Sequence, residues 1–234
     1  MKLSVLMPVY NEERWLTLIV ERVLRQKVAG ISEMELVLVD DGSTDTSVEL
    51  IKDLLRRHPK NIVALFHERN LGKGASIRSA LRQMTGEICI IQDADLEYDP
   101  ANYSLILKPL TDGVADCVYG SRFKGSEPKR VLFFWHHLGN KFLTLLSNVC
   151  TNLNITDMET GYKAFRTELL KDITLKSERF GFEPEITAKI AKKKCRIYEV
   201  GISYYGRTYL EGKKINWKDG IKAIFSILRY WVAD

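Results

Sequence analysis

ICIIQDADLEYDP, residues 88–100, is a short apolar run that ends in two aspartates one residue apart. Bounded by turn residues, Ile88–Ile91 reads as a buried strand. Side chains two apart in extended backbone point the same way, so Asp93 and Asp95 can meet one hard cation together. Oxygen donors of this kind suit Mg²⁺ or Mn²⁺, which keep several waters and bind substrate phosphates. A D-x-D alone has a plainer explanation, since aspartate is common in turns and could cap a helix starting near Asp99-Pro100.

The same pattern recurs upstream. LSVLMPVY (3–10), ELVLVDDGSTD (35–45) and NIVALFHE (61–68) read as strands. Between them lie a helix over 12–28 with Trp15, Leu18, Ile19 and Val23 on one face, and a helix carrying Val48, Ile51 and Leu55 with Ser43 or Thr44 as N-cap. The glycine-rich NLGKGAS (70–76) opens a third helix ending near Met84. Near-continuous apolar strands alternating with amphipathic helices predict an α/β fold, a Rossmann-like, mostly parallel central sheet flanked by helices. Ligands of such sheets collect beyond the carboxyl ends of the strands. Three acidic clusters fall there: Glu12-Glu13, Asp40-Asp41 and Asp93/Asp95.

The chain of 234 residues, 45% hydrophobic and 28% charged, reads as one globular domain. No segment has the 18 or so uninterrupted apolar residues of a membrane-spanning helix, and MKLSVLMPVYNEE lacks the apolar core of a signal peptide. Four cysteines without C-x-x-C spacing argue against a zinc site or disulfides and for a cytoplasmic location. The net charge of +5 is unevenly spread: residues 1–121 hold 14 Lys and Arg against 18 Asp and Glu, and residues 122–234 hold 21 against 12. The acidic half suits a cation, the basic half phosphates or an anionic membrane surface. Nucleic acid is not expected, for want of a motif or a basic stripe with stacking aromatics.

Past the short strand DCVYGSR, residues 129–150 are strongly one-sided as a helix. Val131, Phe134, Trp135, Leu138, Phe142, Leu145, Leu146 and Val149 face one way, with Lys129, His136, Asn140, Lys141, Ser147 and Asn148 opposite. A second amphipathic helix spans about 217–232, with Ile221, Ile224, Phe225, Leu228 and Trp231 on its apolar side. Such stripes pack on a core or lie in a membrane interface.

Acidic strand ends and a cation suit a nucleoside diphosphate carrying a further group, with Asp40 placed for base or ribose. NLGKGAS lacks P-loop spacing, and no G-x-G-x-x-G follows the first strand, which argues against a P-loop NTPase or a Rossmann dehydrogenase. Lys73 is a solvated helix-start lysine or a nucleotide contact.

VLMPVYNEE, VLVDDGSTD, NLGKGASIRSAL, TGEICIIQDADLEYDP and YGSRF stand in the order found in family 2 glycosyltransferases of the GT-A fold, which the chain resembles. DMETGYKAFR, RFGFEPEITAKIAKK, YEVGISYYGRTYLEGKKI and WKDGIKAIFSILRY are similar to the dolichyl- or polyprenyl-phosphate hexose synthases. The resemblance implies that Pro8, Tyr10 and Glu12, with Asp40, hold base and ribose. It implies metal ligation by Asp93 and Asp95, and by the carboxylate of Glu97, which stands where the branch usually has Gln. Arg122 and Arg207 match arginines that grip acceptor and donor phosphates, Lys213 follows close behind as an acceptor contact, and Asp157 matches an acidic residue of the acceptor half. Glu159-Thr160 departs from the branch pattern before Gly161.

On this reading residues 1–121 bind the nucleotide sugar and metal, and residues 122–234 bind the acceptor. The expected reaction is inverting hexose transfer from GDP-mannose or UDP-glucose to a polyprenyl or dolichyl phosphate by a peripheral enzyme at the cytoplasmic membrane face. Asp95, Arg122 and Arg207 are the expected catalytic residues. A phosphate acceptor, with a second pKa near 6, is already nucleophilic and needs cationic placement. Arginine's fork suits that geometry. A sugar hydroxyl as acceptor would instead need a base, Glu183 or Glu185. A non-catalytic sugar-nucleotide-binding subunit is the third possibility.

Overall fold

The computed structural model describes residues 1–125, 128–131, 133–179, 181–208 and 217–233. The apolar runs form β1 (Lys2–Val9), β2 (Glu33–Asp40), β3 (Ile62–Phe66) and β4 (Ile88–Ile91), all mutually parallel. Parallel neighbours need a crossover, supplied here by α1 (Leu16–Leu24), α2 (Ser47–Arg57) and α3 (Lys73–Gln83). Alternate strand residues serve different faces. Leu3, Val5, Met7 and Val9 pack with Ile19 and Val23 of α1, whereas Leu6, Val37 and Val39 pack with Ile77 and Ala80 of α3.

The rest of the chain adds α4 (Tyr103–Thr111), β5 (Cys117–Ser121), α5 (Phe134–Thr151), β6 (Lys163–Arg166), α6 (Thr167–Lys171), α7 (Phe182–Lys192), β7 (Ile197–Gly201) and α8 (Trp217–Val232). Strand order is β3-β2-β1-β4-β6-β5-β7, and β6 alone runs antiparallel to its neighbours β4 and β5. The sheet is thus mostly parallel, with one reversed strand. Because of that reversal the start of β6 lies on the edge where β1, β2, β4, β5 and β7 end.

Two helices differ from the sequence expectation. The first begins at Leu16 rather than 12, because residues 11–15 form a turn tied to the β2–α2 loop. Asn11 there has φ 52°, its N–H donates to Ser43 Oγ (3.0 Å), and the Glu12 N–H donates to Ser47 Oγ (3.0 Å). Its buried face is Leu16, Ile19, Val20 and Val23, leaving Leu18 outside.

The second departure matters more. α5 turns polar residues inward. Thr144 and Ser147 are buried, Asn148 brackets Ile155 through its backbone N–H and C=O, and Thr144 Oγ1 accepts from Met158 N–H (3.1 Å). Leu146 is half-buried against the core, but Phe134, Trp135 (75% exposed), Leu138, Phe142, Leu145 and Val149 face outward. α8, packed beside it, buries Ala223, Ile227 and Tyr230 and exposes Ile221, Phe225 (69%), Leu228 and Trp231. The two stripes therefore do not pack on the core. Among the described residues no helix is long and apolar enough to cross a membrane.

At the opposite end of the sheet Glu35 is 7% exposed and accepts from Ser4 Oγ (2.6 Å), Thr85 N–H (2.6 Å) and Thr85 Oγ1 (2.8 Å), with Lys2 Nζ at 2.9 Å. Burial alone would raise its pKa; the hydrogen bonds overcome it and hold the group at about 2, against 4.5 ordinarily. A depressed carboxylate stabilises the fold above its unfolded pKa and loses that contribution as pH falls toward the folded value. We expect Glu35→Gln to cost about 1–3 kcal/mol at pH 6. The gap to wild type in urea midpoint should narrow as pH is lowered from 6 to 3; a gap independent of pH would show that Glu35 is held by packing rather than charge.

Candidate active site

Reversing β6 gathers the loops of both halves around one cavity of about 540 Å³. Pro8, Tyr10 and Glu12 reach it from the end of β1, Asp93, Asp95 and Glu97 from β4, and Arg122 from β5. Glu159 and Gly161 enter just before β6, Arg207 comes from the segment after β7, and Lys73 and Glu183 from the first turns of α3 and α7.

The turn after β4 is built from beneath. Gln92, fully buried, donates to the carbonyls of Asp93 (3.0 Å) and Tyr98 (3.2 Å) and accepts from the hydroxyls of Tyr103 (3.0 Å) and Tyr162 (2.7 Å). Asp95 Oδ1 accepts from Glu97 N–H (3.1 Å), an Asx turn that closes the loop. Gly161 passes so near that a Cβ on it would lie 2.5 Å from Asp93 Oδ2 and would have to displace that carboxylate.

Two cations stand among these carboxylates. Lys73 Nζ lies 2.8 Å from Asp93 and 3.2 Å from Glu183. Burial opposes its charge, but those two carboxylates outweigh it and raise its pKa. Arg207 meets Asp95 (2.6 Å), Glu97 (3.2 Å) and Glu12 (3.5 Å). Even so, burial and the charges of Glu97 and Asp93 push Asp95 up to about 7. That excess of hard oxygen donors fits a divalent cation at Asp93 and Asp95. Among the described residues no three acids converge into a ready cage, as expected for an ion completed by waters and a diphosphate. Glu97, beside the two aspartates, accepts at Oε1 from Arg207 N–H (2.8 Å) and Nε–H and at Oε2 from the Tyr204 hydroxyl (2.7 Å), so it also places Arg207.

Arg122 is held by Asp157 through Nε (2.7 Å), Nη2 (2.7 Å) and its own N–H (3.0 Å), and lies over the Tyr204 ring at 5.3 Å. Asp157 is fully buried and does not line the cavity, so it acts on a ligand only through Arg122, not as an acceptor contact. Glu199 of β7 accepts from the N–H groups of Thr156 (2.7 Å) and Asp157 (3.2 Å), fixing that turn.

NLGKGAS serves packing. Gly72 has φ 98°, and a Cβ on Gly72 or Gly74 would collide with the carbonyls of Glu178 or Ser177. These glycines let the 177–179 segment cross the start of α3, bringing Arg179 to the cavity.

Of the paired aspartates it is Asp41 that lines the cavity, accepting from Leu71 N–H (3.0 Å) and Gly72 N–H (2.7 Å). Asp40 opens onto the adjoining shallow pocket beside Gly42, Ser43 and His67. Its Oδ2 accepts from Gly42 and Ser43 N–H (3.1 Å each), and its Oδ1, buried, has no partner among the described residues. Glu13 faces away to Thr46 (Oγ1, 2.7 Å). Glu185 is fully buried, taking N–H bonds from Lys176 and Ser177 (2.7 Å each) and pairing with Lys189, which removes it as a base. Lys213 lies outside the described residues. Sequence reasoning missed Tyr98, Arg179 and Tyr204 as cavity residues; only the tyrosine-rich YYGR segment hinted at the last.

The profile of glycosyl transferase family 2 matches residues 4–174. The chain belongs to this family. Among relatives of this family 2 chain, the undecaprenyl-phosphate 4-deoxy-4-formamido-L-arabinose transferase of Photorhabdus laumondii is 27% identical over 91% of this chain and 62% of its own length. The chain thus spans about three-fifths of that relative. The UDP-N-acetylglucosamine–dolichyl-phosphate N-acetylglucosaminyltransferase of Methanococcus voltae is 24% identical over 95% of this chain and 93% of its own length. The fold matches that of glucosyl-3-phosphoglycerate synthase from Mycobacterium tuberculosis, crystallised with Mn²⁺, UDP and phosphoglyceric acid. The TM-score is 0.74 at 18% identity, covering 100% of this chain and 79% of the other. The α/β architecture is that of the GT-A glycosyltransferases.

Proposed function

We propose that this chain transfers a hexose from a nucleotide sugar, GDP-mannose or UDP-glucose, to a polyprenyl phosphate at the cytoplasmic face of a membrane. The observation that carries the reading is the meeting of Asp93 and Asp95 with Arg122 and Arg207 in one cavity. Two relatives named for polyprenyl-phosphate acceptors support it.

Pro8, Tyr10 and Glu12 bind base and ribose, with Asp40 alongside in the neighbouring pocket. Asp93 and Asp95 hold Mg²⁺ or Mn²⁺; bound there, the ion supplies neutralisation of charge on the departing nucleoside diphosphate. Lys73 adds a fixed positive charge on the same side. Arg122, locked by Asp157, and Arg207 align the acceptor phosphate, which as a dianion needs no base. Residues 122–234 form the acceptor half, although Arg207 and Glu183 also reach the donor end. A hydroxyl acceptor would require Glu183, the one of the two candidate bases that lines the cavity.

The outward stripes of α5 and α8 lie on a membrane surface and present the lipid to Arg122. Two expected results follow. Mn²⁺ with UDP or GDP should raise the melting temperature by mass action, and no shift with either would remove the donor site. Phe225→Ser together with Trp231→Ser should cut binding to anionic liposomes about tenfold or more, as removed apolar area predicts, without lowering the melting temperature. Undiminished binding would place the membrane contact elsewhere.

A further inference from the structure

We propose that Tyr204 is a positioning residue that sets Arg122 and Arg207 together against one acceptor phosphate. The inference rests on the acceptor role given to the two arginines above and names the residue that couples them.

Tyr204 is 6% exposed and lines the cavity, and both ends of its side chain are in use. Its ring meets the Arg122 guanidinium, whose carbon lies over it 5.3 Å from the centre; the Phe123 ring stands at 5.6 Å. Asp157 holds the same guanidinium by its edge, through Nε and Nη2 (2.7 Å each). A fork held by its edge is still free to tilt, and an aromatic face restricts the tilt. Nη1 keeps no protein acceptor among the described residues, which leaves it for a phosphate oxygen.

The hydroxyl serves the other arginine. It donates to Glu97 Oε2 (2.7 Å), while Glu97 Oε1 accepts from Arg207 N–H (2.8 Å) and Nε–H (3.2 Å). The last torsion of a glutamate is soft, so a carboxylate bonded at one oxygen swings and one bonded at both does not. The hydroxyl thus fixes the group that fixes Arg207. Phenylalanine at 204 would keep the contact to Arg122 and lose this one.

A buried tyrosine needs some partner for its hydroxyl, and its ring also packs on Tyr98, with centroids 5.2 Å apart. A packing role, however, would show itself in stability. The backbone here does not depend on the side chain. Tyr204 C=O accepts from Arg130 N–H (2.8 Å), Tyr204 N–H donates to Pro128 C=O (3.3 Å), and Tyr205 N–H donates to Glu97 C=O (3.0 Å). Substitutions at 204 therefore leave the segment anchored on both sides.

The test compares wild type with Tyr204→Phe, Tyr204→Leu, Arg207→Met and Tyr204→Phe/Arg207→Met. Calorimetry gives the affinity for UDP or GDP with Mn²⁺, and then for a short-chain polyprenyl phosphate on the nucleotide-bound protein. Melting temperatures are taken alongside. Tyr204→Phe should weaken acceptor binding about fivefold and Tyr204→Leu about fifteenfold, with nucleotide affinity held within about twofold. Tyr204→Phe should melt with wild type. In the Arg207→Met background it should cost less than about twofold more, because the hydroxyl then has nothing left to position. The same fivefold loss in that background would show that the hydroxyl touches the acceptor itself, and overturns the inference. Unchanged acceptor affinity in Tyr204→Phe overturns it too, as does a fall in melting temperature with nucleotide and acceptor weakened alike. Wild type that binds nucleotide but no polyprenyl phosphate overturns the acceptor reading on which the inference stands.

Discussion

Arg122→Ala is expected to raise the KM for polyprenyl phosphate about thirtyfold and to leave the KM for nucleotide sugar within about threefold. A charge-assisted contact to phosphate contributes about 1.5–3 kcal/mol, and that loss falls on the acceptor alone. The same change has a second consequence. Asp157 is fully buried, and three of its hydrogen bonds come from Arg122. Removing the guanidinium leaves an unpaired buried charge, which costs about 3–5 kcal/mol of stability. The two effects separate in the double variant Arg122→Met/Asp157→Leu, in which apolar groups fill the site. Stability should recover toward wild type while acceptor use stays lost. Recovery of acceptor KM in the double variant would show that Arg122 shapes the fold and does not touch the acceptor.

The second large effect belongs to Asp95. Asp95→Asn should lower kcat about 10²–10³-fold, or about 3–4 kcal/mol of barrier, the range expected when charge on a leaving diphosphate is no longer neutralised. Stability should move little. Burial and the charges of Glu97 and Asp93 already disfavour an ionised Asp95, so its charge is a burden on the empty protein that Arg207 only partly relieves. Lost turnover at unchanged melting temperature, not restored by added Mn²⁺, is the expected pattern. Turnover within a factor of three of wild type would exclude Asp95 from the metal site.

How far the sequence revealed this arrangement depends on the range of the interactions involved. The acidic strand ends were legible because parallel strands of similar length must finish on one edge, and the apolar runs of β1, β2 and β4 mark them as parallel. β6 was not legible. Four residues, one of them a fully buried lysine, carry no strand pattern, and only pairing with β4 and β5 reveals the reversal. The stripe on α5 follows from its period, but a period does not tell inside from outside. That was decided by Thr144 and Asn148, whose side chains bond to the 155–158 turn. Glu97 was read as a ligand from its place beside the aspartates. Its hold on Arg207 was not legible, because Tyr204 and Arg207 stand more than a hundred residues away, beyond any local pattern.

The central claim is transfer of sugar to a lipid phosphate. Incubating the protein with labelled GDP-mannose or UDP-glucose, Mn²⁺ and a short polyprenyl phosphate in liposomes, then extracting lipid, tests it directly. The account predicts label in a mild-acid-labile glycosyl phosphate lipid, lost with EDTA, without polyprenyl phosphate, or with Arg122→Ala. Label that enters lipid or glycan only through hydroxyl acceptors, with the polyprenyl phosphate untouched, would contradict it.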